Sequence, residues 1–100
     1  MESHETSIKQ AAELFKAISD PGRLEIVTVL EKEPLSVTRL SIVLGREQST
    51  LSHQLRILKK ARIVVSRKEG KKRIYSLSDN HMHSIVRQVL SHVNEKREDL

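Results

Sequence analysis

Two pairs of side chains suited to a divalent metal stand near the end of the chain: Asp79-x-His81 and, ten residues later, His92-x-x-Glu95. Carboxylate oxygen and neutral imidazole nitrogen together suit zinc, with cobalt or nickel also possible. On a helix, positions 81, 85, 88, 92 and 95 step by 4, 3, 4 and 3, so His81, Ile85, Gln88, His92 and Glu95 share one face. Eleven residues at about 1.5 Å each put the two histidines about 16 Å apart along the axis. Ligands of one ion lie only about 2 Å from it, so one straight helix cannot close a site with both pairs. Two copies packed antiparallel about a two-fold axis near Val86 and Arg87 could close two identical sites. Each would take Asp79 and His81 from one chain, with His92 and Glu95 from the other. The spacing predicts a metal-bridged homodimer.

The elements that must position these groups fit one domain spanning residues 1–100. A chain this short buries a modest share of its surface, which favours dimerisation. Phe15 and Tyr75 are its only aromatics, so a base-stacking platform for single strands or RNA is not expected. The net charge of +5 points to a polyanion, with nucleic acid ahead of a membrane surface. Neither a long apolar run nor a signal peptide is seen, giving an expectation of a cytoplasmic protein with no membrane partner. The absence of cysteine excludes disulfides, thiol redox sensing and thiolate metal sites.

Residues 1–7 are polar and read as a frayed end. Ile8, Ala11, Ala12, Phe15 and Ile18 give a first helix over roughly 7–18, broken by Ser19-Asp20-Pro21-Gly22. Asp20 as N-cap and Pro21 at the first helical position start a second helix, to about Glu31, with Leu24, Ile26, Val27 and Leu30 as its buried stripe. Glu33-Pro34-Leu35 reads as a turn. Ser36 caps a short helix carrying Val37, Leu40, Ile42, Val43 and Leu44, which Gly45 ends. A fourth helix covers about 48–61, with Leu51, Leu55 and Leu58 inward. Ile63–Arg67 and Arg73–Leu77 read as strands of a hairpin turned at Gly70. The last helix starts near Asp79 and frays after about Arg97.

Two short helices joined by a glycine-containing turn, followed by a basic hairpin, are the parts of a winged helix-turn-helix. The predicted fold is mainly α with one β-hairpin, as a homodimer with dimerisation helices at both ends of the chain. The second helix of the pair would read DNA. Gln48, Ser49, Ser52, His53 and Arg56 point outward, suited to base edges and phosphates, and Thr50 adds a hydroxyl to the first turn, whose N–H groups are open to a phosphate. Arg67, Lys68, Lys71, Lys72 and Arg73 crowd five cations into seven residues at the hairpin tip. A double-stranded DNA backbone is the expected partner, and no small organic substrate is expected.

With these parts in place, the chain resembles the ArsR/SmtB family of metal-responsive transcriptional repressors over almost its whole length. Leu14–Leu24 is similar to the family's "LFKALSDPTRL", Gln48–Leu55 to its "QSTVSHHL", and Tyr75-Ser76-Leu77 to the end of its "YYSL". Subtypes that bind arsenic, cadmium or lead carry Cys-x-Cys where Ser36 and Thr38 stand here, so that site is absent. The zinc/cobalt subtype carries Asp-x-His and His-x-x-Glu/His on its last helix, matching Asp79, His81, His92 and Glu95. The resemblance implies a repressor that holds its operator when metal-free and releases it on binding zinc. It also implies that the metal-bound imidazole of His92 donates its second N–H to a backbone carbonyl near Arg62. Glu47 departs from the Ser or Thr that often caps the family's recognition helix. His83 points to another face and is not assigned as a ligand; His4, on a terminus, is the candidate for an extra one.

Two rival classes stay open: a metal-independent dimeric DNA-binding regulator, and a hydrolytic metalloenzyme. The second is disfavoured because no nucleophile or spare base accompanies the four ligands.

Overall fold

Local signals set most of the boundaries in the computed structural model, which describes residues 4–95. Helix α1 (His4–Ile18) begins earlier than its apolar spacing predicts. No glycine or proline interrupts this stretch, and Glu5 in the first turn faces the positive end of the helix dipole. Asp20 then caps α2 (Pro21–Lys32), its carboxylate accepting the Arg23 N–H at 3.0 Å. Ser36 caps α3 (Val37–Leu44) in the same way through the Arg39 N–H, also at 3.0 Å. Gly45, at φ 62°, takes the left-handed conformation that ends α3 at little steric cost.

Helix α4 (Gln48–Lys60) starts at Glu47 with no side-chain cap, as the departure at that position predicts. It ends in a Schellman-type turn: the Arg62 N–H donates to the Lys59 carbonyl and the Ile63 N–H to the Leu58 carbonyl, both at 3.0 Å. Arg62 fills the left-handed position (φ 63°) usually taken by glycine.

The hairpin reaches further than the sequence pattern indicates. Strand β2 (Val64–Glu69) pairs antiparallel with β3 (Lys72–Leu77) from Val64↔Leu77 out to Glu69↔Lys72, leaving Gly70 and Lys71 as the turn. Lys68, Glu69 and Lys72 therefore lie on strands instead of in a loop. A further correction concerns Leu35, read above as part of a turn. Leu35–Ser36 forms a short strand β1 on the other edge of β3, pairing Leu35↔Tyr75 and Ser36↔Ile74. Two residues carry no periodicity, so only the partner strand defines this element.

The chain closes with α5 (Asn80–Asn94), whose N-cap Asp79 accepts the Met82 N–H at 3.0 Å. The expected continuation to about Arg97 is not found within the described residues. Glu95 already has an extended backbone (ψ 135°), its N–H donating to the His92 carbonyl at 3.3 Å. Arg97 itself lies outside the described residues.

Ile26, Val27 and Leu30 of α2 pack with Leu40, with Leu51, Leu55 and Leu58 of α4, and with Ile63, Val64 and Leu77. Met82 and Val86 attach α5 to this core. Each fully buried aliphatic side chain here contributes about 1.5–3 kcal/mol. Leu24 is only half-buried, and Ile42 and Val43 on α3 are exposed (65% and 48%). Ile8 and Phe15 on α1 are likewise exposed, although their spacing is helical.

Candidate functional sites

The capped start of α3, the Gly45 turn and the buried leucine stripe of α4 leave one side of α4 open to solvent. Gln48, Ser49, Thr50, Ser52, His53 and Arg56 are all exposed on it, as the sequence pattern predicts. Gln54, in the same helix, turns inward. Its Oε1 accepts from the Arg46 guanidinium at 3.0 Å, and the same nitrogen donates to the Gly22 carbonyl at 3.1 Å. The other Arg46 nitrogen meets the Glu25 carboxylate. Arg46 thus ties the turn before α4 to α2, a positioning role that sequence reading missed because its partners are 8 to 24 residues away. Gly22 allows the approach, since a Cβ there would lie 2.7 Å from Gln54 Nε2.

In the hairpin, Lys68, Lys71 and Lys72 are exposed and have no carboxylate partner among the described residues. Arg67 differs: its Nε donates to Glu69 at 3.0 Å, so this candidate contact is partly neutralised within the hairpin. Arg73 donates to the Ser66 hydroxyl at 3.2 Å, and Lys59 reaches the same oxygen at 3.0 Å.

The four candidate metal ligands lie at the two ends of α5. Asp79 uses Oδ1 for the cap, leaving Oδ2 3.5 Å from His81 Nδ1. The Met82 N–H, followed by the neighbouring His81, holds the Asp79 carboxyl below its usual range. His81 is almost wholly exposed (91%), and His92 and Glu95 are exposed at the far end. Because the helix stops at Asn94, Glu95 does not continue the helical face on which its spacing had put it. Among the described residues of one chain, no three His, Asp or Glu side chains gather as a metal site. Only the Asp79–His81 pair is in close approach within one chain, and a four-donor zinc shell of these types would need residues from both pairs, drawn from two chains.

His83 is turned away from this set. Its Nδ1 lies 3.6 Å from the Glu31 carboxylate of α2, which also meets Arg87 at 3.8 Å. The cluster clips α5 to α2. His4 opens α1 and is exposed. Ile85 and Val89, between the two ligand pairs, and Val93, next to His92, form an exposed apolar stripe. No described helix is long and apolar enough to cross a membrane.

Residues 20–66, from the cap of α2 into β2, match the model of the family described as "Bacterial regulatory protein, arsR family". The chain is 40% identical over 87 residues to the "Transcriptional repressor SmtB homolog" of Synechocystis sp., covering 87% of this chain and 66% of that protein. It is 40% identical over 85 residues to the "Cadmium resistance transcriptional regulatory protein CadC homolog" of Staphylococcus aureus, covering 84% of this chain and 70% of that one. A homodimeric winged helix-turn-helix DNA-binding domain from Mycobacterium bovis superposes with a TM-score of 0.85 at 22% identity, covering 99% of this chain and 97% of that one. This last likeness speaks for the fold alone. The chain belongs to the arsR family of bacterial regulatory proteins, whose members are transcriptional regulators and not enzymes.

Proposed function

We propose that the protein is a metal-responsive transcriptional repressor, a homodimer that binds operator DNA when metal-free and releases it when zinc binds. The observation that carries the reading is the layout of α5. An exposed apolar stripe, Ile85, Val89 and Val93, runs along the helix from the Asp79–His81 end to the His92–Glu95 end, and each candidate pair is two donors short of a zinc shell. A second copy laid antiparallel on this stripe removes apolar surface from water and brings Asp79 and His81 to the partner's His92 and Glu95. Exposed Ile8 and Phe15 on α1 supply further surface for the same association. The names of the SmtB and CadC relatives support a repressor with a metal effector, and the chemistry here favours imidazole and carboxylate over thiolate.

On the DNA side, α4 would enter the major groove with Gln48, Ser49, Ser52, His53 and Arg56 on base edges and phosphates. The hairpin would lie over the adjacent backbone. Metal bridging the two α5 helices fixes the angle between the two reading heads. If that angle differs from the DNA-bound one, metal and DNA oppose each other, with a coupling of about 1–3 kcal/mol, equivalent to about 5–150-fold in affinity. The test is DNA binding by metal-free protein, titrated with zinc, cobalt or nickel and reversed by chelator. Tight metal-free binding that zinc weakens is expected. Chelator-insensitive binding with no zinc uptake would leave a metal-independent regulator instead.

A further inference from the structure

The outward face of α4 does not stop at Arg56. Ser49, Ser52, Arg56 and Lys59 step by 3, 4 and 3, which places them within an arc of about 80° on the helix. Lys59 thus continues the DNA-reading stripe to the point where α4 meets the hairpin. There its Nζ lies 3.0 Å from the Ser66 hydroxyl oxygen on β2, while Arg73 on β3 reaches the same oxygen from the other side at 3.2 Å. Two cations converge on one neutral atom. Neither has a carboxylate within ion-pair reach among the described residues.

The hydroxyl chemistry is informative. A serine oxygen has two acceptor lone pairs and one proton to donate. With Lys59 and Arg73 occupying the lone pairs, the Ser66 O–H is directed elsewhere as a third donor. Register keeps the group together: Ser66 pairs with Tyr75 and Lys68 with Arg73, so Ser66, Lys68 and Arg73 share one face of the hairpin, towards α4. Arg67, paired with Ile74, is on the opposite face and is engaged by Glu69.

We propose that Lys59, Ser66 and Arg73 form a seat for one DNA backbone phosphate in the notch between the recognition helix and the wing. The inference rests on the DNA-binding reading above. With α4 in a major groove and the hairpin over the neighbouring minor groove, the strand dividing the two grooves crosses this notch. Its phosphate meets N–H groups from both cations and the O–H of Ser66. The seat carries no base information; it sets how deeply α4 and the wing straddle the backbone.

The test uses metal-free protein and mixed-sequence duplex DNA of roughly thirty base pairs, about three helical turns. Affinity is measured across a salt series for wild type, Lys59→Gln, Lys59→Arg, Ser66→Ala and, as a charge-matched control, Lys9→Gln on α1. Lys59→Gln should make the log–log salt slope shallower by about 0.9 per chain and weaken binding about eightfold per chain near 0.1 M salt, with the melting temperature unchanged. Lys59→Arg should restore the slope. Ser66→Ala should weaken binding by about two- to tenfold while keeping the slope, because both charges remain. A Lys59→Gln protein that matches Lys9→Gln overturns the seat. So does a loss that tracks a lowered melting temperature and is not rescued by arginine. Absence of salt-dependent binding by the wild type removes the DNA reading first, and the seat with it.

Discussion

Complementation between two defective chains provides the strongest test of metal ligation across a dimer. On α5 the eleven residues from His81 to His92 span about 16 Å, whereas two ligands of one zinc ion lie at most about 4 Å apart. The arithmetic forbids a site built from both histidines of one chain. His81→Ala and His92→Ala homodimers should each lose both high-affinity zinc sites, since every shared site then lacks an imidazole. In a heterodimer of the two variants, one site collects both lesions. The other takes Asp79 and His81 from the His92→Ala chain, with His92 and Glu95 from the His81→Ala chain, and is whole. The heterodimer, isolated through two different tags, should bind one zinc per dimer, half of the wild-type stoichiometry, and regain partial zinc-induced DNA release. A confirmed heterodimer with stoichiometry near zero refutes the shared site and leaves α5 as a dimerisation helix that happens to carry histidines.

Replacing Lys71 and Lys72 by glutamine should weaken binding to all duplex sequences and flatten the salt dependence by about 0.9 per lost phosphate contact, whereas changing Gln48 or Ser49 should relax operator preference more than total affinity. Unchanged slopes would make the hairpin ordinary surface. Glu47→Ser supplies the cap that α4 lacks and should stabilise the protein by about 1 kcal/mol, raising the melting temperature by about 4–8 °C at fixed protein concentration. A melting temperature that does not rise would show that the capping geometry at α4 is blocked. Asp79 should contribute to the acid sensitivity of the metal-free protein. Because its folded pKa is lowered, its cap is at full strength above the ordinary aspartate value of about 3.9 and is lost as pH falls through the lower folded value. Asp79→Asn keeps a capping oxygen at every pH and should lose less stability on acidification below about pH 4; identical acid profiles would contradict the assignment.

The boundaries legible in the sequence were those made by groups a few residues apart. Asp20, Ser36 and Asp79 cap helices through N–H groups three residues on, and Gly45 and Gly70 supply left-handed turns at their own positions. The leucine stripe of α4 follows from helical period alone, and so does the separation of His81 from His92 on α5, whereas Glu95 falls beyond the end of that helix. Tertiary structure decided whatever depended on distant partners. Strand β1 exists only because β3 offers Leu35 and Ser36 a hydrogen-bonding edge. Ile42 and Phe15 have core-type side chains, yet packing left them on the surface. Arg46 reads as one more surface cation until folding brings Gly22, Glu25 and Gln54 around it. Lys59 and Arg73, fourteen residues apart in sequence, meet on Ser66 only because the hairpin register and the end of α4 put them there. Local hydrogen bonds and periodicity are written in neighbouring residues, whereas burial and charge convergence depend on which surfaces the fold brings face to face.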